Sequence, residues 1–273
     1  METKIILEKQ DLKYLEWSHA RNSSGTAGTF LKSQSKINGQ KIYYKLSNFD
    51  SEKGIVGHEC VNEIIVDKLL TILGVEHLHY QLIHADVEID GKVYETWVCA
   101  SEDFKEPGET KSAMDNYYQV NANIGVSRYD FCVDNGWQSY IDTMLAVDYL
   151  IMNRDRHGAN IEVLRDARKK TIRIAPLFDH GLSFLCTCNT AEEIKNFDVT
   201  VDRPCQNYIG SKSTLDNLSL IKEKAGVFNG KLTADSRDIL FEDIDKILTQ
   251  DHLDKIWEML WMRWNYYENL SNS

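Results

Sequence analysis

The chain has 273 residues, 42% of them hydrophobic and 27% charged, with three prolines and a formal net charge of -11. That length suits one large domain or two modest ones, and the composition excludes a disordered or fibrous protein. An acidic surface repels phosphate backbones and anionic headgroups, so neither nucleic acid nor a membrane is expected as a partner, while a local basic pocket for a nucleotide is compatible with it.

From Met1 to Gln10 apolar and charged residues alternate, without the apolar region of a signal peptide, and no apolar run approaches the ~20 residues of a membrane span. A cytoplasmic protein is expected. The six cysteines are scattered and read as free thiols; Cys186-Thr187-Cys188 with Cys205 has the wrong spacing for common zinc sites.

The first feature in chain order is a glycine-containing loop, Ser23-Ser24-Gly25-Thr26-Ala27-Gly28-Thr29. Its backbone amides suit a phosphate cradle or a plain turn. Residues 28–36 and 40–46 read as strands flanking Asn38-Gly39, a pair suited to the positive φ angles of a type I′ turn, which places Lys45 on the second strand. Ile64, Ile65, Leu69, Ile72 and Leu73 then recur at helical spacing and stop at Gly74. A second hairpin, 79–89 and 92–99, turns at Asp90-Gly91. Histidines 77, 79 and 84 lie near its first strand without metal-like partners, and no function is read into them. Hairpin, helix, hairpin predicts a small mixed lobe over residues 1–102.

Glu102 to Asn123 contains Pro107-Gly108 and reads as a connecting loop with room for a short helix. Residues 103–273 are expected to form a larger, mainly helical lobe. Tyr140 to Met152 is apolar on nearly every face except at Asp142 and Asp148, as a buried helix would be, and Leu253, Ile256, Trp257, Leu260, Trp261 and Trp264 form a stripe that reads as core packing.

The chemistry concentrates in Asn153-Arg154-Asp155-Arg156-His157-Gly158-Ala159-Asn160, followed by Ile161 to Leu164, a polar turn, Thr171 to Ala175, and Asp179-His180-Gly181. Phosphoryl transfer uses one Asp to accept or orient a hydroxyl proton, an Asn five residues on to bind magnesium, and a later Asp-x-Gly aspartate to bind magnesium across the phosphates. Asp155 to Asn160 has that interval. Two metal-ligating oxygens and one base must converge on a phosphate from loops held by rigid elements, and the helix before and the hairpin between supply the anchors. Either motif alone reads equally as a solvated turn. Together, with a strand lysine upstream, they point to ATP- and magnesium-dependent phosphoryl transfer.

In Asp-Arg-His-x-x-Asn and Ala-Pro-Leu-Phe-Asp the sequence resembles the HipA-like kinases, especially compact members without the extra amino-terminal domain, and more distantly the phosphoinositide kinases. The resemblance runs from about Ser23 to Ser183. It implies an α+β, bilobal protein-kinase-like fold that phosphorylates protein serine or threonine, with Asp155 as the catalytic base and Asn160 and Asp179 on magnesium. Lys45 of Tyr-Tyr-Lys-Leu would hold the ATP phosphates, and Glu63, or Glu59 one turn earlier, would orient it. Ser24, Gly25 and Thr26 would cover the phosphates, and Val98, Ala100, Glu102 and His157 would also contact the nucleotide. For His157 a purely structural role is the other reading. Arg154 and Arg156 suit phosphate or acidic neighbours equally. The glycine loop departs from the Gly-Ala-Gln-x-Lys of many HipA-like members. Autophosphorylation of Ser23 or Ser24 would expel that loop by charge. A lipid kinase is the competing enzyme reading, against which Leu182 to Arg203 sets only Lys195 and Arg203 beside Glu192, Glu193, Asp198 and Asp202. A non-catalytic nucleotide-binding regulator is the third. Expected partners are a protein substrate and, by analogy, a separate antitoxin-like protein.

Overall fold

The computed structural model describes residues 1–18 and 30–271. The amino-terminal lobe is built from β1 (Lys4–Asp11), β2 (Phe30–Ile37), β3 (Gln40–Asp50), β4 (Gly54–Ile55), α1 (Glu59–Ile72), β5 (Tyr80–Ile89) and β6 (Lys92–Glu102). Its sheet runs β1-β5-β6-β3-β2, with β4 on β3; β1 pairs with β5 in parallel and the other described pairings of this sheet are antiparallel. Both tight hairpins form as the sequence dictates, with Asn38 and Gly39 at φ 52 and 84 and Asp90 and Gly91 at 52 and 78. This double positive φ is the signature of the I′ turn, whose twist matches that of the flanking strands. The sequence reading passed over β1. Its alternation is visible, but its partner, Gln81 opposite Lys4, lies a lobe's length away in the chain.

The second lobe contains β7 (Thr110–Ala113), α2 (Met114–Asn121), α3 (Arg128–Asp134), α4 (Gln138–Leu150), β8 (Asp155–Arg156), β9 (Glu162–Asp166), β10 (Thr171–Ile174), α5 (Ala191–Lys195), β11 (Gln206–Asn207), α6 (Thr214–Asn217), α7 (Ser236–Phe241) and α8 (Gln250–Ser271). The stretch expected as a connecting loop therefore carries a strand as well as a helix. β7 pairs with β9, and Thr-Lys-Ser-Ala has no apolar alternation because it is an edge strand with no buried face.

Among the described residues, two apolar cores form. One lies on the outer face of the first sheet, where Leu12, Leu15 and Leu31 pack on Tyr44, Leu46, Val98 and Ala100. The other is continuous from the inner face of that sheet through α1 to α4 and α8, including Ile64, Leu69, Met144, Leu150, Ile256 and Leu260. Each aliphatic side chain so buried contributes about 1.5–3 kcal/mol before entropy is counted. Helix α1 thus belongs energetically to both lobes, which fixes the element that carries Glu63 against the element that carries Lys45. The tryptophans of α8 pack as expected: Trp264 is buried, and Trp257 stacks on Trp261 with ring centroids 5.4 Å apart.

Candidate active site

Lys45 lies on β3 opposite Cys99 of β6 and Lys32 of β2. Directly paired residues share a face, and this face looks toward α1. The Lys45 ammonium donates to Glu63 Oε1 at 3.1 Å and to Asp179 Oδ1 at 2.5 Å. The other Glu63 oxygen accepts the His180 N–H at 2.8 Å, so one buried carboxylate ties the strand lysine to the Asp-His-Gly loop. Glu59 turns elsewhere, accepting the Asn48 N–H at 3.3 Å. Burial pushes the Glu63 carboxyl up, with Lys45 opposing it. Burial also works against charge on Asp179, but Lys45 and then Lys32 override it and hold this carboxyl well below the usual range. Burial would lower the Lys45 ammonium; Asp179 and Glu63 instead raise it well above its ordinary value. The two charges nearest each other are thus kept charged.

The Asp-His-Gly loop is held under strain. Asp179 sits at φ 59, a left-handed conformation that costs a non-glycine residue about 1–3 kcal/mol and is kept where surroundings over-determine it. Its N–H donates to the Tyr80 hydroxyl at 3.2 Å, and Asn62 of α1 donates to the carbonyls of Gly181 and Ser183 at 2.9 and 3.0 Å. A β-carbon at Gly181 would lie 3.1 Å from both the Cβ and the carbonyl oxygen of Glu59, so glycine is what lets α1 approach the loop.

The Asp155-to-Asn160 loop hangs from the end of α4. Asn153 donates to Asp148 Oδ1 at 2.8 Å and accepts the Asp155 N–H at 3.1 Å. Arg156 is completely buried, grips both oxygens of Asp148 through Nε and Nη2, and donates Nη1 to the carbonyls of Asn160 and Phe178 at 3.2 and 2.8 Å. Phe178 immediately precedes Asp179, so one guanidinium sets the spacing of the two loops. Asn160 Nδ2 donates to the Asp155 carbonyl at 2.8 Å, which leaves its Oδ1 as the amide atom available to a metal. His157 Nδ1 accepts the Ala159 N–H at 3.1 Å, while Nε2 stands 3.8 Å from Asp155 Oδ2. His157 is therefore a structural cap of its own turn. Burial raises the Asp155 carboxyl, with His157 opposing and Asp179 adding to the rise.

Asp155, Asn160, Asp179, Lys45 and Glu63 thus lie along one connected set of contacts. Ser24, Gly25 and Thr26, and Ser23 with them, lie outside the described residues. Val98 and Ala100 are corrected by strand alternation. Their side chains join Leu46 and Tyr44 in the outer core, on the face away from Lys45, and the positions on the Lys45 side are Cys99 and Ser101. Glu102 ends β6 and accepts the amino-terminal ammonium of Met1 at 3.0 Å. The sequence reading missed Lys32, Tyr80 and Asn62, and it left Arg156 open between phosphate and acidic neighbours; its partner Asp148 showed only as a carboxylate in a mostly apolar helix. Cys186, Cys188 and Cys205 do not converge: Cys188 and Cys205 donate to separate backbone carbonyls, of Glu193 and Ser211.

Among solved structures, the Helicobacter pylori proinflammatory kinase CtkA matches with a TM-score of 0.61 at 18% identity, over 96% of this chain and 98% of that one. The chain has a kinase fold. A chain of the Shewanella oneidensis MR-1 HipA, HipB and operator DNA complex, from a toxin–antitoxin system, gives a TM-score of 0.49 at 14% identity, over 91% of this chain and 67% of that one. No family profile and no curated protein sequence matches. At such identities the kinase fold is what the likeness carries, and the chemistry rests on the residues. Within it, the Asp179 carboxylate and Asn160 Oδ1 are hard oxygen donors of the kind magnesium takes, and Lys45 is a compact cation suited to a phosphate. The donor set fits a magnesium nucleotide.

Proposed function

We propose that the chain is an ATP- and magnesium-dependent kinase of HipA-like type that transfers the γ-phosphate to a serine or threonine hydroxyl of a protein, itself included. One observation carries this reading: three motifs far apart in sequence meet, with Lys45 on Glu63 and Asp179, and Asp179 tied through Arg156 to the loop of Asp155 and Asn160. In that reaction Asn160 and Asp179 would hold the metal, Lys45 would bind phosphate oxygens, and Asp155 would orient the acceptor hydroxyl and take its proton. Magnesium supplies neutralisation of the charge developing on the phosphates. The raised Asp155 carboxyl is a better proton acceptor than an ordinary aspartate.

A protein acceptor is favoured over an inositol phospholipid. After the Asp-His-Gly loop, Lys195 and Arg203 stand beside Glu192, Glu193, Asp198 and Asp202, a net acidic segment that disfavours an anionic headgroup. On the HipA-like reading any regulatory partner is a separate antitoxin-like protein. Incubating the purified protein with labelled ATP, with magnesium or with EDTA, followed by mass spectrometry of the labelled species, tests the proposal. Magnesium-dependent label on protein serine or threonine supports it. ATP binding without transfer would make the chain a nucleotide-binding regulator, and label in added lipid would make it a lipid kinase.

A further inference from the structure

The last turns of α1, the link into β5 and the residue before β1 bring three polar side chains onto one carboxylate oxygen. Asp67 Oδ1 lies 2.8 Å from His77 Nε2, 3.0 Å from His79 Nδ1 and 2.8 Å from Thr3 Oγ1. The ligand atoms of Asp67, His77 and His79 all fall within 4.8 Å of one another. Asp67 and His77 are buried, while His79 is 44% exposed and opens the cluster to solvent.

The protons do not balance in this cluster without a cation. His77 Nδ1 stands 2.7 Å from the Val75 carbonyl oxygen, which only accepts, so Nδ1 carries the ring's proton. Nε2 then presents a lone pair to a carboxylate oxygen 2.8 Å away. Two acceptors that close hold a proton or a metal ion between them. A backbone carbonyl on the far ring nitrogen is also the arrangement that orients metal-ligating histidines. The second oxygen of Asp67 is fixed in turn by the Tyr80 N–H at 2.7 Å.

We propose that Asp67, His77 and His79 bind a transition-metal ion of the zinc class, with Thr3 or a water completing the shell. Two imidazoles and one carboxylate suit zinc and exclude a preference for magnesium or calcium, which take oxygen. Ligand atoms of a tetrahedral zinc shell lie about 3.3 Å apart, so Asp67 Oδ1, at 2.8 and 3.0 Å from the two rings, must back away by a few tenths of an ångström, and exposed His79 is free to adjust within a set that already lies inside 4.8 Å. The ion would act on the cleft through short links. Asp67 follows Glu63 by one helical turn, Leu78 donates to the Leu177 carbonyl at 2.8 Å, and Tyr80 receives the Asp179 N–H. It would therefore clamp α1 to the segment that carries Asp179.

The test is calorimetric titration of zinc, and visible absorption with cobalt, on EDTA-stripped protein. Wild type is compared with His79→Ala, the pair His77→Gln with His79→Ala, and Asp179→Asn. One zinc per chain is expected, kept by Asp179→Asn, weakened at least tenfold by His79→Ala and lost in the pair, with the cobalt band following. Unchanged melting of His79→Ala in EDTA would show that the loss is not unfolding. No uptake by wild type would mean that a proton holds His77, and uptake undiminished in the pair would place the ion elsewhere; either overturns the proposal. Because the readout is metal binding, its failure is separate from failure of phosphoryl transfer.

Discussion

Arg156 and Asp148 form a fork inside the protein, with 0% and 1% of their surfaces exposed, and the same guanidinium holds the backbone of both the Asn160 loop and the segment before Asp179. Removing one partner leaves the other charge buried alone, which costs about 3–5 kcal/mol, whereas removing both is far cheaper than the sum. Asp148→Asn and Arg156→Met should each lower the denaturation midpoint strongly, and the double variant should recover part of the loss. Arg156→Lys should lose activity too, because an ammonium cannot span two carboxylate oxygens and two carbonyls. Full activity in Arg156→Lys would show that the fork does not position the loops.

On the proposed assignment of Asp155 as the base, Asp155→Asn should reduce transfer by orders of magnitude while leaving ATP affinity close to wild type. Because burial raises this carboxyl, the acid limb of the rate profile should lie above the ordinary aspartate value of 3.8. Stopped-flow nucleotide binding and steady-state turnover, measured on the same preparation, separate the two effects. Wild-type turnover in the variant would remove Asp155 from the mechanism.

Asp179→Asn and Asn160→Ala should both weaken magnesium-dependent nucleotide binding, Asp179→Asn more, because it discards a charge as well as a donor. Asp179→Asn should also weaken the hold on Lys45, which keeps only Glu63 as an anionic partner. Titrating magnesium at fixed ATP checks this. Identical magnesium dependence in all three proteins would dismiss the metal site.

The backbone was legible where local physics decides it. Asn38-Gly39 and Asp90-Gly91 announce their turns, and the apolar spacing of Ile64 to Leu73 announces α1. What the sequence hid depends on long-range pairing. The parallel place of β1 beside β5 has no local signal, and β7 has no apolar face to show. The choice of Val98 and Ala100 fell on the wrong parity of β6, since a period of two cannot say which face meets the cleft until Lys45 is seen opposite Cys99. Arg156 was open between phosphate and protein because its partner, Asp148, sits a helix turn and a loop away. Histidines 77 and 79 read as bland for the same reason: Asp67 reaches them only once α1 has folded back along β5.

His58 and His252 make the protein acid-sensitive. Their rings meet edge to face at 4.4 Å where α1 begins and α8 begins, and both Nε2 atoms are buried without a hydrogen-bond partner among the described residues. Burial, and then the neighbouring ring, pushes His58 down from 6.5 to about 3, and burial pushes His252 from 6.5 to about 4. The unfolded chain therefore takes up protons near pH 6.5 that the folded chain refuses. Stability is full above that pH and falls as pH drops through it, by about 1.4 kcal/mol per pH unit for each ring, or about 2 kcal/mol for each by pH 5. Buried His180 acts in the same sense, while the raised carboxyls of Glu59, Glu63 and Asp155 act in the opposite one. The clean measurement is accordingly a difference. Urea unfolding at pH 7, 6 and 5 should show wild type losing more stability on acidification than the His58→Gln, His252→Gln double variant, by up to about 4 kcal/mol at pH 5. Parallel curves for the two proteins would mean that these rings already carry their protons in the folded state.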